Sequence, residues 1–192
     1  MITNIFTTPL YSTTFDQLNN VEMVNYCYEY KSKVGGVQIS NDIGYQSPQL
    51  QGEHSPLNEL FKEIDYTTNA FAQRLGLSMP TFIDSVWINI NKPGATNMEH
   101  RHPKTMLSGV FYLKVPQNSG RIVFTNPISN FDMIWTDDYI DNYTPFNSEC
   151  HYHMPINNEL ILFPSWLSHK VERNNSDSDR VSLAFNCSPI KS

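Results

Sequence analysis

Three of the six histidines have a spacing that suits one metal ion. His100 and His102 are two residues apart, and His169 lies far along the chain. In an extended segment, residues two apart point to the same side, so this pair can present two imidazoles to one ion. A third ligand must arrive from elsewhere in the fold, and His169 is the candidate. Such a facial triad leaves coordination positions open for further ligands.

Arg180 gives the histidines a second chemical feature. It follows His169 after a short polar stretch and begins the strand-like run RVSLAFN. Hairpin geometry would bring its guanidinium back beside the metal, where the planar fork can hold a carboxylate. A dicarboxylic acid would then chelate the metal at one end and be held at the other. The alternative is that Arg180 pairs with Asp177 or Asp179.

The remaining histidines have no comparable distal ligand or arginine associated with them in the sequence. His151 and His153 form a second HxH pair in an acid-rich stretch, and we interpret them as surface or packing residues. His54 stands alone in a polar loop, and we expect no functional role for it. The chemistry therefore centres on His100, His102 and His169.

Two helices are predicted in the first part of the chain. Apolar residues recur at helical spacing over about 15–32, with Thr14 or Asp16 as the cap and a glycine pair after the end. A second helix opens with Ser55 as N-cap and Pro56 in its first turn, and it ends at a glycine. We expect both apolar stripes to pack on a sheet.

From residue 81 onward the pattern is that of short strands separated by Pro, Gly and Asn. We predict strands at Val86–Ile90, Leu107–Val115, Arg121–Thr125, Glu159–Phe163 and Arg180–Cys187. This order predicts an α+β, mainly β fold as a sandwich or barrel. Residues 1–192 read as a single domain, with a helical part over about 1–80 and a β core over about 81–190.

An aromatic and acidic excursion over 127–147 interrupts the strands. Loops of this length in a compact domain are commonly functional. Three interpretations stay open: a lid over the site, a contact between two copies in a homodimer, and plain packing. Its aromatic residues are Phe131, Trp135, Tyr139, Tyr143 and Phe146.

Composition excludes several classes of protein. The net charge of −6 and only 13 basic residues disfavour a nucleic-acid binder, which needs clustered Lys and Arg. No stretch of about 18 apolar residues occurs, so we expect no membrane span. The three cysteines form no CxxC pair or disulfide framework, which fits a reducing cytoplasm.

Several ordered blocks resemble a group of 2-oxoglutarate- and iron(II)-dependent oxygenases found in marine bacteria and phages. The resemblance covers roughly residues 38–188. The blocks are GYQS at 44–47, WIN at 87–89, NMEHRHP at 97–103, LSGVFYL at 107–113, FTNP at 124–127, LFPSWLSHKV at 162–171 and RVSLAFN at 180–186.

The resemblance implies a double-stranded β-helix, or jelly roll, with two N-terminal helices packed on one sheet and a metal in the barrel mouth. It implies iron(II) as cofactor, with 2-oxoglutarate and dioxygen as co-substrates, in the cytoplasm of a bacterial or phage-infected cell. His100, His102 and His169 would be the metal ligands. Cofactor-binding positions would be Arg180 for the far carboxylate of 2-oxoglutarate, with Asn89, Tyr112 and Asn186 along the cleft. The expected outcome is hydroxylation of an unidentified protein or small-molecule substrate.

His102 departs from the family pattern. It stands where the wider superfamily usually has Asp or Glu, so iron would have no anionic protein ligand. Two alternatives are that Glu99 or Asp84 supplies the carboxylate, or that catalysis has been lost.

Two other functions also stay open. A three-histidine site in a β-barrel also suits a cupin-type dioxygenase without 2-oxoglutarate, although such an enzyme would not need Arg180 as a carboxylate clamp. The other is a non-catalytic jelly-roll binding module with a vestigial metal site.

Overall fold

The computed structural model describes residues 1–128 and 137–190. Helix α1 spans Asn20–Lys33 and begins later than predicted, because Tyr11–Thr14 forms strand β1. Its cap is Asn19, whose side chain accepts a hydrogen bond from the Glu22 amide at 3.4 Å. The prediction of Thr14 or Asp16 as cap was therefore wrong. A pairing with a distant strand decided where this helix begins, and local periodicity contains no sign of it.

Helix α2 spans Asn58–Arg74 and follows a single 3-10 turn at Ser55–Leu57. Pro56 lies in that turn as predicted, since it needs no backbone donor there. Ser55 is not an N-cap, because the 3-10 turn includes it and no side chain caps either start. Gly76 ends the helix with a φ of 76°, a left-handed conformation that favours glycine.

Among the residues described above, eleven strands form two antiparallel sheets. After β1 they are β2 Asn41–Asp42, β3 Tyr45–Gln46, β4 Thr81–Asn91, β5 Thr96–His100, β6 Leu107–Lys114, β7 Ile122–Thr125, β8 Cys150–His153, β9 Glu159–Pro164, β10 His169–Val171 and β11 Arg180–Pro189. The larger sheet has the order β1-β9-β6-β11-β4-β3, and the smaller has β2-β5-β10-β7-β8. All five predicted strands are present, and β1, β2, β3, β5, β8 and β10 are additional.

The larger sheet has an outer face that is covered by the two helices. Helix α1 contacts β6 and α2 contacts β4. Side chains such as Ile88, Phe111 and Leu183 are fully buried there. Burial of this apolar area, at about 25 cal/mol per Å², is the main stabilising contribution of the helices. The expectation that both helices pack on one sheet is confirmed.

The inner face of the larger sheet meets the smaller sheet. Phe124 of the smaller sheet packs against Phe163 with ring centroids 5.0 Å apart, and Tyr112 and Ile161 belong to the same cluster. This second core is smaller and shares its space with buried polar side chains. No helix within the described residues is long and apolar enough to cross a membrane.

Candidate metal and 2-oxoglutarate site

A β-bulge in β5 points His100 and His102 into the space between the sheets. His169 of β10 pairs directly with His100, whereas Val171 pairs with Asn97. Between these two pairs β10 has one residue, Lys170, and β5 has two, Met98 and Glu99, so β5 carries one extra residue. Side chains alternate along a strand, and an extra residue reverses which ones face inward. Asn97 and His100 thus both line the same pocket despite their odd separation.

The structure brings together the three histidines that the sequence singles out. Their possible ligand atoms all lie within 4.8 Å of one another. The ring centroids of His100 and His169 are 4.4 Å apart, and His102 lies 5.0 Å from the first and 5.2 Å from the second. His169 is buried and the other two are half-buried. An ion placed among the rings could contact all three.

Backbone carbonyls fix two of the rings. His100 Nδ1 lies 2.7 Å from the Met98 carbonyl oxygen, and His169 Nδ1 lies 2.9 Å from that of Leu167. A carbonyl only accepts, so each Nδ1 must carry the proton. Each Nε2 then has a free lone pair, as in metal-binding histidines whose other nitrogen donates to a carbonyl.

The electrostatics of the rings also suit a cation. Burial lowers the pKa of His169 to about 3 and, with a smaller contribution from nearby His100, lowers the pKa of His102 to about 4. Burial lowers the pKa of His100 as well. All three imidazoles are therefore neutral near pH 7, which is the form that binds metals.

Neither candidate carboxylate joins the histidines. Glu99 Oε1 accepts hydrogen bonds from Ser168 at 2.6 Å and from Thr125 at 2.7 Å. Asp84 accepts one from Ser188 at 2.8 Å. Among the described residues, the group that could hold a metal at this site consists of the three histidines alone. The alternative that Glu99 or Asp84 supplies a ligand gains no support from the structure.

Arg180 lies in the pocket that the three histidines line, which we call the site pocket. Only 2% of its surface is exposed, and its Nη1 donates to the carbonyl oxygens of Ser119 and Gly120. No carboxylate of the described residues forms an ion pair with it. Asp179 instead accepts a hydrogen bond from the Tyr28 hydroxyl. Pairing of Arg180 with a neighbouring aspartate is therefore wrong.

A buried guanidinium without a counter-ion is costly. Burial lowers the pKa of Arg180, because a low-dielectric surrounding disfavours the charged form. The two carbonyls offset only part of this cost. A carboxylate bound beside Arg180 would supply the missing negative charge and use the remaining donors of the fork.

The other predicted cofactor-binding residues divide into two groups. Asn89 and Tyr112 are buried and line the site pocket with Arg180. Burial raises the pKa of Tyr112, so it remains a neutral hydroxyl. Asn186 instead lies in a neighbouring cleft, where Ser108 donates to its Oδ1 at 2.7 Å and its Nδ2 donates to Ser85 at 3.2 Å.

Sequence reasoning missed several polar residues of the site pocket. Ser182 lies two residues after Arg180 on β11, and residues two apart on a strand face the same side. The strand period could therefore have identified it. Asn91 and Asn97 are joined by a hydrogen bond of 3.0 Å, and both line the pocket. Nothing local in the sequence marks these two asparagines, because the bulge decides which side Asn97 faces.

The remaining histidines lie outside the site. His54 is buried and its ring contacts Tyr26 and Tyr30, so it does not stand alone in its loop. That it has no functional role stays a prediction. His153 Nε2 lies 2.9 Å from Glu159 Oε1. His151 and His153, the two histidines of the second HxH pair, both lie on β8. That placement agrees with surface or packing roles.

The aromatic excursion is described only in part. Phe131 and Trp135 lie outside the described residues. Tyr139, Tyr143 and Phe146 are exposed. The lid and the homodimer contact both stay predictions.

A family model described as "Putative 2OG-Fe(II) oxygenase" matches residues 85–186, just over half of the chain. The chain belongs to this family. The match spans the three histidines and Arg180. Iron(II), 2-oxoglutarate and dioxygen are therefore the cofactor and co-substrates of this oxygenase. No curated protein matches the sequence.

Solved structures agree on the fold of this 2-oxoglutarate oxygenase. A prolyl-4-hydroxylase from Pseudomonas putida is 15% identical with a TM-score of 0.67, and the match covers 96% of this chain and 95% of that one. The viral collagen prolyl hydroxylase of Paramecium Bursaria Chlorella virus-1 is 15% identical with a TM-score of 0.57, covering 93% and 94%.

A third relative illustrates the range of reactions on this fold. The epimerase SnoN, in complex with Fe³⁺, alpha ketoglutarate and nogalamycin RO, is 12% identical with a TM-score of 0.70. The match covers 95% of this chain and 79% of that one. At such identities the likeness establishes the architecture of the oxygenase, and its substrate must be argued from its own residues.

Proposed function

We propose that this oxygenase hydroxylates a C–H bond of a substrate still to be identified. In this proposal His100, His102 and His169 hold iron(II), and Arg180 holds the far carboxylate of 2-oxoglutarate. The observation that supports it is the meeting of three neutral imidazoles and one unpaired, buried guanidinium in a single pocket.

The donor set fits iron(II). Imidazole nitrogens suit this metal, and a facial set of three protein ligands leaves positions for a chelating co-substrate and for dioxygen. The carbonyls of Met98 and Leu167 orient His100 and His169 before any metal arrives, which lowers the ordering cost of binding. His102 contributes a neutral ligand in place of the usual carboxylate. The ferrous ion would therefore receive its negative charge from 2-oxoglutarate.

The other end of the pocket fits a carboxylate. Arg180 would bind the far carboxylate through the donors that its two carbonyl partners leave free. Asn89 lines the pocket beside it, and its Nδ2 would donate a hydrogen bond to a carboxylate oxygen. Tyr112 would donate its hydroxyl proton to a carboxylate oxygen rather than ionise.

The cofactors supply the oxidising chemistry when bound, and the protein supplies positions and a dry surrounding. Val110, Ile122 and Phe163 form an apolar wall of the site pocket. A wall of this kind keeps water from the reacting atoms and strengthens the electrostatic hold of Arg180. The chain's own residues thus bind, orient and exclude solvent.

The proposal extends to the architecture and the setting. We describe the two facing antiparallel sheets as a double-stranded β-helix in one domain, which the likeness to the oxygenase structures supports. We place the reaction in the cytoplasm, where a reducing environment keeps iron ferrous and buried thiols such as Cys27 and Cys187 reduced.

Labelled dioxygen tests the proposed reaction. The iron(II)-loaded enzyme is incubated with 2-oxoglutarate and isotopically labelled dioxygen, and succinate is analysed by mass spectrometry. We expect succinate that carries one labelled oxygen atom, even at the slow rate of turnover without a prime substrate. His169→Ala is the matched control and should give none.

Two results would favour the rival functions. Substrate oxidation that does not require 2-oxoglutarate would support a cupin-type dioxygenase. Tight iron binding without succinate formation, even when candidate substrates are added, would support a non-catalytic binding module.

A further inference from the structure

A second cleft opens directly onto the metal-binding histidines. This outer cleft has a volume of about 550 Å³, and His100, His102 and Trp87 line both it and the site pocket. Its size lies within the usual range for a small-molecule site. A group bound in this cleft would lie next to the proposed iron, which is where a prime substrate must place its reacting C–H bond.

The walls of the outer cleft carry little net charge. Among the described residues that line it, Glu99 and Arg101 are the only formally charged ones. Glu99 Oε1 accepts hydrogen bonds from Ser168 and Thr125, and Arg101 is exposed. The two opposite charges offset each other. The wall therefore has no excess of one charge that would favour an anionic or a cationic substrate.

Most polar side chains of the outer cleft already have partners. Ser47 donates to the Pro48 carbonyl oxygen at 2.7 Å, and Gln49 donates to that of Asp84 at 2.9 Å. Asn186 is held by Ser108 and Ser85. These side chains shape the wall but offer few free atoms to a ligand.

Gln46 is different. It lines the cleft and is only 5% exposed, and its Oε1 is buried without a hydrogen-bond partner among the described residues. Its position is fixed by β3, where its Cα lies opposite that of Asn89 in β4. Buried polar atoms are nearly always paired, so the unpaired Oε1 of a residue that lines the cleft is a candidate contact for a ligand group.

We propose that the outer cleft binds its substrate through an uncharged amide group and that Gln46 determines this specificity. A carboxamide donates and accepts, and so does an amide, which gives a matched pair of hydrogen bonds. Ile39 and Met98 add exposed apolar surface for the neighbouring carbon atoms. This inference rests on the proposed function, because it takes the iron to be at the three histidines.

The test uses three probes that share the leucine side chain and differ in charge. N-acetyl-leucinamide is neutral, N-acetyl-leucine is an anion and leucinamide is a cation. Each is added to the cobalt(II)-loaded protein with 2-oxoglutarate, and paramagnetic changes in its proton signals report binding near the metal. The zinc(II)-loaded protein gives the diamagnetic reference. We expect the neutral probe to bind about tenfold more tightly than either charged probe, since a buried unpaired charge is disfavoured.

Two substitutions at Gln46, with one control at Gln49, distinguish the contribution of Gln46 to probe binding from that of the rest of the cleft. Gln46→Met keeps the side-chain size and should weaken the neutral probe about fivefold to tenfold, as expected for one net hydrogen bond. Gln46→Glu should shift the preference toward the cationic probe. Gln49→Met is the matched control, because Gln49 lines the same cleft but already has a partner, and it should leave the preference unchanged.

Separate readouts distinguish the two hypotheses. The visible absorption band of iron(II) chelated by 2-oxoglutarate, recorded without oxygen, tests the proposed function alone. If that band forms but the three probes bind equally, or none of them senses the metal, the inference about the outer cleft is wrong. Equal effects of Gln46→Met and Gln49→Met would also overturn it. A missing band in the wild-type protein would instead contradict the proposed function.

Discussion

The two faces of the larger sheet are built from the same strands but are suited to different tasks. On the outer face, Ile88 and Leu183 pack beneath the helices. Their immediate neighbours along the strands, Asn89 and Ser182, point the other way and line the site pocket. Because side chains alternate along a strand, one stretch of β4 and β11 serves both faces.

Burial does not distinguish these faces, whereas the polarity of the side chains does. Arg180 and Tyr112 are each only 2% exposed, and Leu183 is fully buried. On the outer face, apolar side chains of these strands pack beneath the helices. On the inner face, Asn89 has an unpaired oxygen and Arg180 has no counter-ion among the described residues. Polar and charged side chains that line a pocket therefore distinguish the inner face from the outer one, and substitutions on the two sides should affect different measurements.

The largest effect is expected at His102, on the functional side. His102→Ala removes one of three proposed ligands and should lower iron(II) affinity on the order of a thousandfold, more than the tenfold to hundredfold that loss of an outer-shell partner costs. His102→Asp restores the common two-histidine-one-carboxylate set and should retain the metal. Metal content after gel filtration measures both, separately from succinate formation.

In His102→Asp the aspartate side chain is shorter than histidine, so the activity of this variant can be reduced even when it binds the metal. Metal content is therefore the measurement that decides. If His102→Ala binds iron as tightly as the wild-type protein, His102 is not a ligand. The three-histidine site would then have to be abandoned.

Leu183 and Ser182 are adjacent on β11 and lie on opposite faces of the sheet, so substituting each in turn compares the two faces most directly. Leu183→Ala creates a cavity beneath the helices and should lower the free energy of unfolding by about 2–5 kcal/mol. Ser182→Ala should change it by less than about 1 kcal/mol, because no hydrogen bond of the Ser182 side chain is found within the described residues. Urea denaturation of the metal-free proteins gives both values. Similar destabilisation by the two substitutions would mean that the inner face is also a packing core.

A more moderate effect is expected for Arg180→Lys. Lysine keeps the positive charge but loses the planar fork, so 2-oxoglutarate should bind about tenfold to fiftyfold more weakly, a loss of about 1.5–2.5 kcal/mol that is typical of a charged hydrogen bond. Iron(II) affinity should hardly change. Isothermal titration with each ligand separates the two, and an unchanged affinity for 2-oxoglutarate would remove Arg180 from the site.

The smallest predicted effect is a dependence of stability on pH. Burial lowers the pKa of His169 to about 3 in the folded protein, whereas an unfolded histidine titrates near its ordinary value of 6.5. Below about pH 6.5 the unfolded chain binds a proton that the folded metal-free protein does not, so stability falls as pH falls. The slope is at most about 1.4 kcal/mol per pH unit for this imidazole.

Urea denaturation at several pH values between about 7 and 5 measures this slope. His169→Gln should flatten it, whereas His151→Gln, at an exposed histidine outside the pocket, should not. The same slope in wild type and His169→Gln would show that His169 is not buried as a neutral ring.

The sequence reveals most of the fold because a periodic pattern that continues over a whole helix or a long strand is a strong signal. The apolar stripes of the two helices and the five predicted β-rich runs all correspond to elements of the structure. Strands β2 and β3, of two residues each, escape detection because they are defined only by their partners. The start of α1 is displaced for the same reason, since β1 exists through its pairing with β9.

The site is predictable to a different degree. The residue types and the order of His100, His102, His169 and Arg180 indicate a metal and a carboxylate. The bulge that turns His100 inward is a property of the pairing between β5 and β10, so the sequence alone cannot say why Glu99 is excluded. Placement of Asn186 in the outer cleft likewise depends on cross-strand register.

Anaerobic titration with iron(II) and 2-oxoglutarate tests the central claim most directly. A keto acid chelated to iron(II) gives a weak visible charge-transfer band, and its appearance requires metal and co-substrate in one site. We expect the band to saturate at one equivalent of iron in the wild-type protein, to be absent in His169→Ala and to require more 2-oxoglutarate in Arg180→Lys. A band of wild-type intensity and affinity in His169→Ala, or no band in the wild-type protein, would contradict the account.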